Sequence, residues 1–291
     1  MEAIDYVAPR SLEEVYAALG NGKRSAFLAG GTDVIVQLRE GRKQCDQLID
    51  LKHIPELMRF GFTNDGTLEI GAATPVAEIY EDPEVNRRLP GLVDAASLIG
   101  GIQIQGRASL GGNICNASPA ADSIPALIAL GATLVIGSAH GTREMPIEEF
   151  FVGPGQNVLG PGELLVTVKV PAQPPHSAVF FHRFIPRNEM DIAVVNAGVR
   201  LELNASEDTI TGARVAVGAV APTPLLVREA ADALIGNAPT AEAFAAAGEA
   251  AAAAARPITD MRGSAAQRRH LVRVLTIRAL EGAVKRIREG S

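Results

Sequence analysis

The sequence pattern twice sets adjacent glycines after a strand and before a helix, as Leu28-Ala29-Gly30-Gly31-Thr32-Asp33 and as Ser109-Leu110-Gly111-Gly112-Asn113. This pairing restricts the fold more than any other feature. Glycine takes positive φ without penalty and leaves no Cβ between the backbone and a ligand. Successive N–H groups in such a turn can converge on one anion. Either turn alone is a weak signal, since a Gly-Gly pair is more often a plain turn. Two of them, with hydroxyl or amide side chains alongside (Thr32, Ser109, Asn113), suit a pyrophosphate better than a single phosphate.

The commoner nucleotide motifs are absent. No GxGxxG follows a strand with an acidic residue about 20 positions later, and there is no GxxxxGK(S/T). A dinucleotide would therefore be held by a different fold. Around the first turn, SAFLAGGTDVIVQLREG reads as a strand over 26–29, the turn, and a helix from Thr32-Asp33. Ser11 and Glu14 form a capping box ahead of Leu12, Val15, Tyr16 and Leu19, which marks an amphipathic helix. QLIDL (47–51), TLEIGA (67–72), ATLVIG (132–137) and LLVTVKV (164–170) read as strands bounded by turn residues. Helices are expected from Thr74-Pro75 and over 122–130.

The texture changes after the proline cluster PAQPP at 171–175, the best linker in the chain. Three strands follow, SAVFFHRF, DIAVVNAGVRLEL and GARVAVGAVA, and then helices. AEAFAAAGEAAAAAA has near-maximal helix propensity, and Ser264 can cap a final helix running to about Arg288. Segregated elements of this kind predict an antiparallel sheet beside a helical bundle.

The chain has 291 residues, is 47% hydrophobic and carries a net charge of −6. It is long enough for more than one lobe, and it lacks the concentrated basic face that nucleic acid requires. The first residues show no basic and apolar signal-peptide pattern, and no run approaches a membrane span, so a cytoplasmic location is expected. Only Cys45 and Cys115 occur. They read as reduced thiols, Cys115 as a packed side chain, and two cysteines cannot ligate an iron–sulfur cluster alone. The five histidines (53, 140, 176, 182 and 270) are scattered without metal or triad spacing.

LAGGTDVIVQLREG, ASLGGNICNASPAADSIPALIAL, PGELLVTVKVP, NEMDIAVVNAGV and DMRGSAAQRRHLVRVLTIRAL together resemble the FAD-binding medium subunit of the xanthine dehydrogenase and carbon monoxide dehydrogenase family of molybdenum hydroxylases. The resemblance covers nearly the whole chain. It implies an α+β fold: a PCMH-type FAD-binding domain over 1–175, with lobes of about 1–55 and 56–175, then a C-terminal domain over 176–291 with a sheet of about three antiparallel strands and a helical bundle. It also implies site roles. Ala29, Gly30, Gly31, Thr32 and Asp33, flanked by Leu28 and Val34, would hold the pyrophosphate with Ser109, Leu110, Gly111, Gly112 and Asn113. Asp33 would contribute its N–H, since its carboxylate opposes a phosphate. Asn116 and Ser118 would lie along the cofactor and Leu165 near the flavin ring.

Asp122 either caps the helix after it or, by the resemblance, reaches the adenosine ribose. Arg183 stands where the family often has a lysine whose charge can influence the flavin. A guanidinium is a fork rather than a point charge, so the flavin potential and oxygen reactivity are open. The resemblance further implies partners: a large molybdopterin-binding subunit and a small subunit with 2Fe–2S clusters, in a heterohexameric dimer of heterotrimers. The chain would pass electrons from those clusters through FAD to NAD, a quinone or oxygen. Two alternatives stay open on sequence alone, a self-contained PCMH-type flavin reductase or oxidase and a non-enzymatic assembly protein with purely structural glycine turns.

Overall fold

A computed structural model describes residues 3–187 and 190–290; Asn188 and Glu189 of the NEMDIAVVNAGV segment lie outside the described residues. The chain opens with β1 (Asp5–Val7), α1 (Leu12–Leu19), β2 (Ser25–Leu28), α2 (Val34–Arg39) and β3 (Gln47–Asp50). These strands form a parallel sheet in the order β1-β3-β2. Ser11 caps α1 by accepting the Glu14 N–H at 3.3 Å, while the Glu14 carboxylate accepts the N–H of Arg10 at 2.7 Å. The capping box thus closes one residue earlier than its usual pattern.

Next come α3 (Pro55–Met58), β4 (Phe60–Phe62), β5 (Leu68–Gly71) and a run of short helices: α4 (Val76–Glu81), α5 (Pro83–Arg88), α6 (Pro90–Ala96), α7 (Ile102–Gln105), α8 (Leu110–Cys115) and α9 (Ser123–Leu130). They are followed by β6 (Thr133–Ser138), β7 (Gly141–Pro146), β8 (Phe151–Gly153), β9 (Gln156–Asn157) and β10 (Leu164–Val170). An antiparallel sheet runs β4-β5-β10-β6-β7. Both faces of β10 are covered. Leu165, Val168 and Val170 join the main core, whereas Leu164 and Val166 pack with Val15, Ile49 and Leu57 of the first lobe. Side chains alternate along the strand, and the register shift between Leu165 and Thr167 brings Val168 and Val170 to the side of Leu165.

The C-terminal part holds β11 (Ser177–Phe184), β12 (Val195–Leu203), β13 (Ile210–Gly218) and β14 (Leu225–Leu226), then α10 (Arg228–Asp232), α11 (Ala241–Ala254) and α12 (Ala265–Arg288). The sheet is antiparallel in chain order and has four strands rather than about three; the fourth is only Leu225–Leu226, too short to leave a sequence pattern. Ser264 caps α12 by accepting the Gln267 N–H at 3.1 Å. Along β12, Val195, Ala197, Val199, Leu201 and Leu203 face a core shared with α11 and α12. Its other face lies on α9, so close that a Cβ on Gly198 would stand 2.5 Å from the Pro125 carbonyl oxygen. Arg286 of α12 reaches back to both carboxylate oxygens of Asp94 on α6, at 2.9 and 3.2 Å. Among the described residues no helix is long and apolar enough to cross a membrane.

Candidate functional site

The first glycine turn leaves the C-terminal end of the parallel sheet. Leu51 donates its N–H to Leu28 at 3.0 Å, which extends the β2–β3 ladder past the named strands before the chain bends. Gly31 sits at φ +77°, a conformation that disfavours any side chain. A Cβ on Gly30 would stand 2.0 Å from the carbonyl oxygen of Arg107, so this turn is pressed against the segment leading to the second. The N–H groups of Gly30, Gly31, Thr32, Asp33 and Val34 make no hydrogen bond among the described residues, nor does the Thr32 hydroxyl. Consecutive unpartnered donors on a half-buried turn form an anion-binding concavity.

The second turn is built differently. Ser109 begins α8, accepting the Gly112 N–H on its side chain at 3.1 Å and the Asn113 N–H on its carbonyl at 3.0 Å. Ser109, Leu110 and Gly111 are buried, and a Cβ on Gly111 would stand 2.4 Å from the Ala72 carbonyl oxygen. The Asn113 side chain accepts the Ser123 hydroxyl at 2.7 Å, tying α8 to the start of α9. Beyond α8, Asn116 is exposed, and Ser118 accepts the Ala120 N–H at 3.3 Å. Gln37 of α2 links the two turns, donating to the Asp33 carboxylate at 2.6 Å and to Asn116 Oδ1 at 3.5 Å. The Asp33 carboxylate is thereby occupied by an amide while its N–H stays unpartnered.

Asp122 makes no side-chain cap on α9. Instead its Oδ2 accepts from Arg183 at 2.5 Å and its Oδ1 from Asn196 at 3.3 Å, and Arg183 also donates to the Leu98 carbonyl at 3.2 Å. Asp122 and Arg183 are both nearly inaccessible, with side chains 10% and 8% exposed. Burial pushes the Asp122 carboxyl above its ordinary range, opposed by the charge of Arg183 and the amide of Asn196. Two residues considered separately in the sequence thus form one buried pair joining α9 to β11. Leu165 lies in the main core on β10, 3% exposed.

Both cysteines are free thiols, and burial pushes Cys115 up to about 12, far from a reactive thiolate. Several contributors had no sequence motif to reveal them: Gln37, Asn196, and a group of Tyr6, Asp50 and Lys52 under the first turn. The charged pair Asp50 and Lys52, two apart at the end of an apolar strand, was the one available signal.

The arrangement fits a diphosphate. Unpartnered N–H groups line one turn, the turn carries no Cβ at its closest approach, and the neighbouring carboxylate is tied back. Residues 2–173 match the FAD binding domain in molybdopterin dehydrogenase. The chain belongs to this family of FAD-binding subunits. Residues 180–283 match the CO dehydrogenase flavoprotein C-terminal domain. A xanthine dehydrogenase FAD-binding subunit of Escherichia coli O157:H7 is 33% identical over 281 residues, 96% of this chain and 95% of its own length. The carbon monoxide dehydrogenase medium chain of Hydrogenophaga pseudoflava is 34% identical over 281 residues, 96% of each chain. A solved carbon monoxide dehydrogenase from the same organism superposes with a TM-score of 0.93 at 33% identity, covering 97% of this chain and 98% of that one. The α+β architecture agrees with the fold that the resemblance implied, and as a member of this family the chain is an FAD-binding oxidoreductase subunit.

Proposed function

We propose that this chain is the electron-transfer subunit of a molybdenum hydroxylase, carrying electrons from 2Fe–2S clusters on a small partner subunit to an external acceptor. Bound FAD supplies the redox chemistry, accepting electrons singly and releasing them singly or in pairs. The protein's task is to hold, orient and shield it. The observation that carries the reading is the run of unpartnered N–H groups from Gly30 to Val34, in a turn packed at Gly30 against Arg107 of the segment that leads into the Ser109–Asn113 turn.

In this reading Ala29, Gly30, Gly31, Thr32 and Asp33, between Leu28 and Val34, bind the diphosphate through their backbone. Ser109, Leu110, Gly111, Gly112 and Asn113 close the opposite side, with Asn116 and Ser118 along the cofactor. Asp122 reaches the ribose while Arg183 fixes its orientation, and Leu165 supports the ring system from the core. The FAD-binding domain comprises 1–175, with lobes of about 1–55 and 56–175, and the C-terminal domain 176–291. The substrate is oxidised on a large molybdopterin-binding subunit, and the assembly is a cytoplasmic dimer of heterotrimers. The acceptor is NAD, a quinone or oxygen.

Native purification tests this. The expected result is copurification with two partner chains, iron, molybdenum and one FAD per copy of this chain. A chain isolated alone that turns over a small substrate with NAD(P)H at full rate would overturn it.

A further inference from the structure

Beneath the first glycine turn lies a bonded group that the cofactor reading leaves unexplained. Lys52 follows β3 directly, and its Nζ donates to Asp50 Oδ1 at 2.6 Å and to the carbonyl oxygen of Ala29 at 3.0 Å. Asp50 is itself fixed: Oδ1 also accepts the Lys52 N–H at 3.0 Å, and Oδ2 accepts the Tyr6 hydroxyl at 2.5 Å. The Asp50 and Lys52 side chains are 5% and 21% exposed. Tyr6 comes from β1, Asp50 from β3 and Ala29 from the end of β2. One chain of hydrogen bonds therefore runs under the turn from all three strands of the parallel sheet.

We infer that Lys52 is a positioning residue of the cofactor site: by holding the Ala29 carbonyl it aims the Gly30 N–H, the first of the unpartnered donors, toward the diphosphate. The inference rests on the FAD reading above. The Ala29 carbonyl and the Gly30 N–H belong to one peptide unit, which is planar and trans, so the two point in opposite directions. Anchoring the carbonyl on the sheet side turns the N–H to the loop side. Gly30 cannot relieve a misaligned peptide by shifting toward Arg107, whose carbonyl already fills the space a Cβ would take. A cation on the carbonyl also polarises the peptide and strengthens its N–H as a donor. The plain alternative is that Lys52 only neutralises the buried Asp50 carboxylate.

Titration of the full-length apo chain separates the two. FAD, ADP (which has the diphosphate but no flavin) and adenosine (which has neither) are measured against wild type, Lys52→Met and Lys52→Arg. Lys52→Met should weaken FAD and ADP by a common factor of about 10, the size expected for loss of one charge-assisted contact, and leave adenosine unchanged. Lys52→Arg, retaining charge and donors, should recover most of the loss. The role of Lys52 is overturned if Lys52→Met binds FAD and ADP as wild type does, or weakens adenosine as much as ADP. Wild-type FAD binding is the control: its absence sinks the FAD reading, whereas tight wild-type binding with an unchanged Lys52→Met sinks only the role of Lys52.

Discussion

In the first glycine turn the donors from Gly30 to Val34 have no protein acceptor among the described residues, whereas in the second Gly112 and Asn113 return theirs to Ser109. The first turn is half-buried and keeps Gly31 at positive φ; the second is packed at Gly111 against the backbone of Ala72. An identical pair of letters has produced a donor loop in one place and a buttress in the other. The difference lies in what surrounds each pair. The first follows the end of a parallel sheet, where the backbone runs out of ladder partners. The second opens a short helix whose first turn is capped by its own serine. Small residues in a binding segment thus have two separate uses, approach to a ligand and approach to backbone, and only the surroundings distinguish them.

The division predicts that substitutions in the second turn act on the fold and those in the first on binding. The largest effect belongs to Gly111→Val. Its Cβ would meet backbone rather than a movable side chain, so the apo chain should lose about 3 kcal/mol or more, read as a lower urea midpoint; an unchanged midpoint would remove the buttress. Asp122→Asn leaves Arg183 buried without its charge partner and should cost about 3 kcal/mol, with part of the loss recovered in the Asp122→Asn, Arg183→Gln double variant. Recovery of none would mean that the pair is not coupled.

Effects in the first turn are smaller on stability and larger on the cofactor. Gly31→Ala places a side chain at φ +77° and should cost about 1 kcal/mol of apo stability, while FAD affinity falls by about tenfold or more as the donor run shifts. The loss of stability without any loss of FAD affinity would erase the contrast between the turns. Gln37→Ala removes the amide that ties Asp33 to Asn116. FAD binding should weaken by about two- to fivefold, the share of one ordinary hydrogen bond, with the melting temperature unchanged.

The smallest effect is one of pH. Burial pushes the Asp50 carboxyl up, but the hydrogen bonds from Lys52 and Tyr6 outweigh it and hold it below its usual range. A depressed folded pKa contributes stability that is complete above the unfolded value near ~3.9 and is lost as pH falls through the folded one. FAD retention should therefore be level from about pH 8 to 5 and fail only below about 4. A loss centred near pH 6 would point away from Asp50.

Much of this was readable in advance where the signal is local. Ser11 and Ser264 cap helices as their positions imply, LLVTVKV is β10 without adjustment, and the first Gly-Gly turn lies between β2 and α2, whereas Gly111 and Gly112 lie within α8 with helix α7 rather than a strand before them. The edge strand GTREMP was not legible, because an exposed strand has no buried face to impose alternation. The short helices between 83 and 105 carry too few turns to show a period. Asp122 and Arg183 each stand out in the sequence, yet their pairing depends on α9 lying against β11 and β12, which no spacing encodes. Asp50 and Lys52 show in the sequence only as a charged pair after an apolar run, and their contacts to Tyr6 and Ala29, which lie on other segments, are likewise encoded by no spacing.

The central claim is that the first turn is the donor and the second the support, and a crystal structure of the chain with FAD tests it most directly. The account predicts diphosphate oxygens about 2.7–3.2 Å from the N–H nitrogens of the Gly30–Val34 run, with the Gly111–Ala72 contact unchanged. A diphosphate seated away from that run, with those N–H groups facing solvent, would contradict it.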